Sequence, residues 1–152
     1  MKLTTKGRYA VTAMADLATH AGSGPTSLSD ISFRQGISLS YLEQLFAKLR
    51  RAGLVNSARG QGGGYELAAP PMAVRVADII NAVGEGIQTT ACTPGGALGC
   101  TGTSARCLTH DLWDELGRQI EIFLNAVTLE DVIAKRVAGM AAVNAPQLGA
   151  AE

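Results

Sequence analysis

Cys92, Cys100, Cys107 and His110 fall within nineteen positions of a 152-residue chain, and those three cysteines are all it has. The stretch between them is rich in Gly, Thr and Ala, and a run such as Pro94-Gly95-Gly96 cannot order itself by packing. Three thiolates and one imidazole make a ligand set for a metal centre, and a metal centre is what such a loop needs to hold it. Buried structural cysteines belong on apolar-periodic helices or strands, and this segment reads as neither. The odd cysteine count argues against a disulfide framework, as does the lack of a signal-peptide pattern in residues 1–6. Cys107 and His110 could mimic a nucleophile and its base. No oxyanion donors or acidic orienter accompany them, so an enzyme is not expected.

The elements around this loop follow from periodicity. Tyr9, Val11, Met14, Leu17 and Ala18 keep helical spacing up to the breaker cluster Gly22-Ser23-Gly24-Pro25. A short second helix follows, capped by Ser27 or Ser29, with Leu28 and Ile31 facing inward and Gly36 ending it. The third helix has an apolar stripe of Leu42, Leu45, Phe46 and Leu49. Ser40 and Glu43 have capping-box spacing, with Ser38 as a competing cap, and Gly53 closes the helix. Residues 54–59 and 65–67 read as two strands joined by the turn Gly60-Gln61-Gly62-Gly63-Gly64. A fourth helix carries Val76, Ile79, Ile80 and Val83 and stops at Gly84-Glu85-Gly86. After the cysteine loop, Leu112, Trp113, Leu116, Ile120, Phe123, Leu124 and Val127 form a wide stripe. A small domain can hardly cover it alone, so a second subunit is expected to do so. Thr128 and Asp131 could cap a last short helix bearing Leu129, Val132, Ile133 and Val137.

The expected fold is mostly α with a small β-hairpin wing, a winged helix-turn-helix DNA-binding domain plus a long C-terminal dimerisation helix. Its divisions are residues 1–70 for the DNA-binding domain, 71–91 for a linking helix and 92–110 for the ligand loop. Residues 111–137 hold the dimerisation and capping helices, and 138–152 a loose tail.

Net charge is zero, but it is unevenly placed: residues 1–65 hold eight basic groups against three acids, and the remainder reverses the balance. The basic front half suits a polyanion. Ser38, Ser40, Tyr41, Gln44, Lys48 and Arg51 supply the polar and basic set that a major-groove helix needs. Gln44 suits a paired contact to adenine, and Lys48 and Arg51 suit phosphates. Arg59, at the hairpin tip, can enter a narrower groove. The Gly62-Gly63-Gly64 run lacks the Lys-Ser/Thr of a P-loop, so nucleotide binding is not expected. No apolar run spans a bilayer, and a soluble, cytoplasmic protein that meets no membrane is expected.

Four motifs then fall in register: Lys6-Gly7-Arg8-Tyr9-Ala10-Val11, the segment from Gln35 to Phe46, Arg59-Gly60-Gln61-Gly62-Gly63-Gly64-Tyr65, and Cys107-Leu108-Thr109-His110. Over nearly all of the chain to about residue 136, the sequence resembles the IscR family of bacterial iron–sulfur cluster regulators, winged-helix transcription factors. The resemblance implies a homodimer with one [2Fe–2S] cluster per subunit on Cys92, Cys100, Cys107 and His110, supplied by the cluster-assembly machinery. It implies a dual regulator of cluster-assembly genes, a repressor when loaded, that binds a second class of promoter operator in double-stranded DNA when the cluster is lost. By the same likeness Ser40, Tyr41, Gln44 and Arg59 contact DNA, and Glu43 discriminates between operator classes. The ligand gaps of seven, six and two residues are wider than in that pattern, which bears on the geometry of ligation. A structural zinc is the alternative, although the close Cys pair common in zinc sites is missing. A [4Fe–4S] cluster sensing nitric oxide or iron is another.

Overall fold

Positive-φ glycines mark where this chain turns. Gly36 (φ 65) and Gly53 (φ 77) end two of its helices in the left-handed region, where a side chain would be strained. The computed structural model describes residues 4–86, 89 and 107–139, so Cys92 and Cys100 lie outside the described residues. Six helices and one hairpin follow in order: α1 (Thr5–Thr19), α2 (Leu28–Gln35), α3 (Leu39–Arg51), β1 (Val55–Ala58), β2 (Gly64–Leu67), α4 (Val76–Ala82), α5 (His110–Ala126) and α6 (Leu129–Ile133). The fold is mostly helical with a two-stranded antiparallel wing, as expected.

Capping sets the helix starts. Thr4 accepts from the Lys6 N–H at α1, and Ser27, not Ser29, caps α2 by accepting from Asp30 N at 3.1 Å. The Ser40–Glu43 box does not form. Ser38 takes the N-cap of α3 without a side-chain cap bond, which leaves Ser40 inside the first turn. At α6 the expected box is present: Thr128 Oγ1 accepts from Asp131 N at 3.2 Å, and Asp131 accepts from Thr128 N at 3.1 Å. Val137 lies beyond that helix but still packs on the cluster around Val76, Ile80 and Val127.

The main core joins α1, α2, α3 and β1 to α4 and α6. Met14, Ile31, Leu42, Phe46, Leu49, Ile79, Val83 and Leu129 are all fully buried within it. Each such side chain contributes about 1.5–3 kcal/mol by leaving water. One carboxylate is buried with them. Asp16 receives the Arg34 guanidinium (Nη2 to Oδ1, 2.6 Å) and the Gln35 amide (2.6 Å), which ties α1 to α2. Burial pushes the Asp16 carboxyl up, but the bonds from Arg34 and Gln35 outweigh it and hold the group below the usual aspartate range.

The wing stands on a third line of backbone pairing. Thr26, just before α2, exchanges both hydrogen bonds with Tyr65 of β2 (2.9 and 2.8 Å). Gly64 is required beside it, because a Cβ there would run into the Thr26 carbonyl. The Tyr65 ring meets Phe46 of α3 edge-on at 4.9 Å, so the wing base is joined to the third helix.

Candidate nucleic-acid interface and metal ligands

Amphipathicity places the polar face of α3 opposite Leu42, Leu45, Phe46 and Leu49, which are buried. Ser38, Ser40, Glu43, Gln44 and Arg51 are exposed along it. Tyr41 and Lys48 are not wholly exposed as their spacing suggested; both are half-buried, because α1 runs beside this face. The Tyr41 ring meets Tyr9 edge-on at 6.0 Å. Lys48 Nζ donates to the Val83 carbonyl at 3.2 Å, at the end of α4. Contact with Lys6, then desolvation and the Arg51 charge, hold the Lys48 ammonium below the usual lysine range.

Arg59 is exposed directly after β1, at the hairpin tip, where Gly60 (φ 100) and Gly62 (φ 78) make the turn. Arg50 braces the wing from α3 by donating to Ser57 Oγ at 3.3 Å. Arg50 and Lys6 are missed by reading helix faces. Arg50 sits off the 41-44-48-51 line, and the signal for Lys6 is only its place in the basic N-terminal run.

Of the four expected metal ligands, the described residues include Cys107 and His110. Both are half-buried, and His110 N donates to the Cys107 carbonyl at 3.0 Å. His110 is not a loop residue, as its place in the ligand loop implied, but the first residue of α5. Between them, Thr109 Oγ1 accepts from the Trp113 indole at 3.2 Å and lies 3.8 Å from Cys107 Sγ. Thr89 returns the chain leaving α4 to this same helix: its hydroxyl donates to the Trp113 carbonyl at 2.6 Å. Among the described residues no three His, Cys, Asp or Glu side chains gather as a metal group.

Helix α5 beyond this turn is unusual in that none of its seventeen residues is buried. Leu112 (62% exposed), Trp113 (44%) and Leu116 (37%) face solvent with Ile122. The stripe expected to meet a second subunit is therefore covered only at its C-terminal end, where Phe123 and Leu124 pack on Val76, Ile80 and Val127, and is open at Leu112, Trp113 and Leu116.

The sequence profile of the Rrf2 family, described as an iron-dependent transcriptional regulator, matches residues 3–135. The chain belongs to the Rrf2 family. The IscR transcriptional regulator of Aliivibrio salmonicida is 56% identical over 133 residues, covering 88% of this Rrf2 chain and 77% of that protein. Among solved structures, T. potens IscR superposes with a TM-score of 0.72 at 43% identity, covering 90% of this chain and 88% of that one. CymR, described as the global cysteine regulator of B. subtilis, superposes with a TM-score of 0.75 at 36% identity, covering 89% and 98%. This Rrf2 chain is a DNA-binding transcriptional regulator and not an enzyme. No helix among its described residues is long and apolar enough to cross a membrane.

Proposed function

We propose that this Rrf2 regulator senses iron–sulfur cluster status, with Cys92, Cys100, Cys107 and His110 holding a [2Fe–2S] cluster. The observation that carries this reading is Thr89 lying on α5 at Trp113, one turn from His110. Cys92 follows Thr89 by three residues, a covalent reach of about 10 Å. The chain thus enters and leaves the ligand loop on the same short stretch of α5. The donor set of three sulfurs and one imidazole nitrogen fits such a cluster. When bound, the cluster would supply a reversible cross-link between the chain after α4 and the first turn of α5.

The chain's own residues do the rest. Thr109 and Trp113 fix the first turn of α5, which orients Cys107 and His110. Residues 112–124 of α5 offer their apolar stripe to a second copy, so two α3 helices can address half-sites about one DNA turn apart. Ser38, Ser40, Tyr41, Gln44, Lys48, Arg51 and Arg59 contact operator DNA, and Glu43 repels one operator class. A change at the foot of α5 alters the spacing between the α3 pair, and with it the operators bound.

The test is a visible absorption spectrum of protein isolated without oxygen, taken with its iron and sulfide content. Two iron and two sulfide per subunit, lost in Cys107→Ala, are expected. Colourless protein with stoichiometric zinc would replace this reading with a structural zinc, and four iron and four sulfide per subunit would replace the cluster type.

A further inference from the structure

Lysines do not gather without a reason, and three cations meet where α1, α3 and α4 converge. Lys48 and Arg51 line a shallow cleft with Ala52, Ala82 and Gly84, and Lys6 reaches the same place from the first turn of α1. Lys48 is held by the Val83 carbonyl, at the negative end of α4. Lys6 has no such excuse, because the first turn of a helix repels cations. Among the described residues no carboxylate pairs with Lys6, Lys48 or Arg51. Glu85 comes near this corner but directs its Oε2 to the Gly7 N–H at 2.5 Å. The cluster also adjoins the polar face of α3, since Tyr9 and Lys6 of α1 meet Tyr41 and Lys48 in turn.

We propose that Lys6, Lys48 and Arg51 form one seat for a phosphate of the DNA backbone, flanking the α3 face. This rests on α3 being the DNA-reading helix and adds a residue of α1 to that interface. An anion shared by three cations removes their mutual repulsion and releases the duplex counterions that it replaces. The seat carries no sequence information; it fixes how α3 lies in the groove. It is also joined twice to residues 83–85, through Lys48 to Val83 and through Gly7 to Glu85, directly before the chain runs toward Cys92.

The test uses the full-length protein and a fluorescein-labelled duplex of arbitrary sequence, with anisotropy followed across a salt series. Lys6→Gln and Arg51→Gln should each weaken binding roughly three- to tenfold and lower the slope of log affinity against log salt by about one. Lys6→Arg should restore the slope, and thermal melts should match the parent protein. Inorganic phosphate, titrated at constant ionic strength, should compete only in the millimolar range. Competition at micromolar phosphate would assign the site to a free anion and overturn the proposal. An unchanged salt slope in both Gln variants, with parent binding intact and weakened by Arg59→Gln, would sink the seat alone. A parent protein that fails to bind the duplex would sink the DNA-reading face with it.

Discussion

Helices α3 and α5 both carry a clear apolar stripe, yet α3 buries four of its thirteen residues and α5 buries none of its seventeen. The stripe of α3 is closed by its own chain: α1, α2, β1 and α4 wrap it, and the core continues to Leu129 of α6. Among the described residues, that of α5 meets the α4 side only through Phe123 and Leu124, and Leu112, Trp113 and Leu116 stay exposed. Periodicity therefore says that a face must be covered without saying by whom. A helix that presents polar groups to DNA must be held rigidly by its own subunit, whereas a helix with an open apolar face can respond to what happens at its foot.

The largest break in that comparison should come from Phe46→Ala in α3. Emptying this fully buried site removes the Tyr65 contact as well, and a loss of about 3–5 kcal/mol in urea unfolding is expected. A loss below about 1 kcal/mol would mean that the core does not depend on α3. Next, Asp16→Asn should destabilise by about 1–2 kcal/mol, since it removes the buried charge that the partly exposed Arg34 guanidinium pairs with and leaves an amide where Gln35 also donates. The same carboxylate gives a pH signature. Its folded-state value lies below the ordinary 3.8, so its contribution is complete above the unfolded-state value and lost as pH falls through the lower one. The Asn variant should lose that part of the acid transition, which acid titration followed by circular dichroism would record.

On the α5 side the expectation inverts. Leu112→Glu with Leu116→Glu should leave the far-ultraviolet spectrum intact while weakening self-association about 100-fold or more, seen by sedimentation. Unchanged self-association would mean that another surface joins the copies. The smallest effect belongs to Thr128→Ala, at the junction after α5, where losing a capping box should cost about 1 kcal/mol in the same urea assay.

Much of the scaffold was readable from local pattern. The stripe of α3, the αL stops at Gly36 and Gly53 and the Thr128–Asp131 box each leave a mark within a few residues. The choice between Ser38 and Ser40 was not readable, because either serine can end the extended segment before the helix, and the one capping-box spacing, Ser40 to Glu43, favoured the serine that the structure places inside the first turn. Long-range ties left no trace at all. Gly7 and Glu85 stand 78 positions apart, and nothing periodic announces that one will accept from the other. Lys48 read as solvent-facing for a similar reason, since the Val83 carbonyl that draws it inward belongs to another helix. Of the ligand loop, residue types alone suggested the set. The return of Thr89 to α5 became visible only in three dimensions.

The Thr26–Tyr65 pairing has a mechanical consequence for Arg59. With β2 paired to β1 along one edge and to Thr26 at Tyr65 on the other, the ribbon is a short lever on a fixed fulcrum, and the residues outside the ladder are the glycine-rich tip, 59–63. Seating Arg59 in a groove then surrenders the wandering of about five residues, not of a whole arm, so the conformational toll of contact stays small while the angle of approach is set in advance.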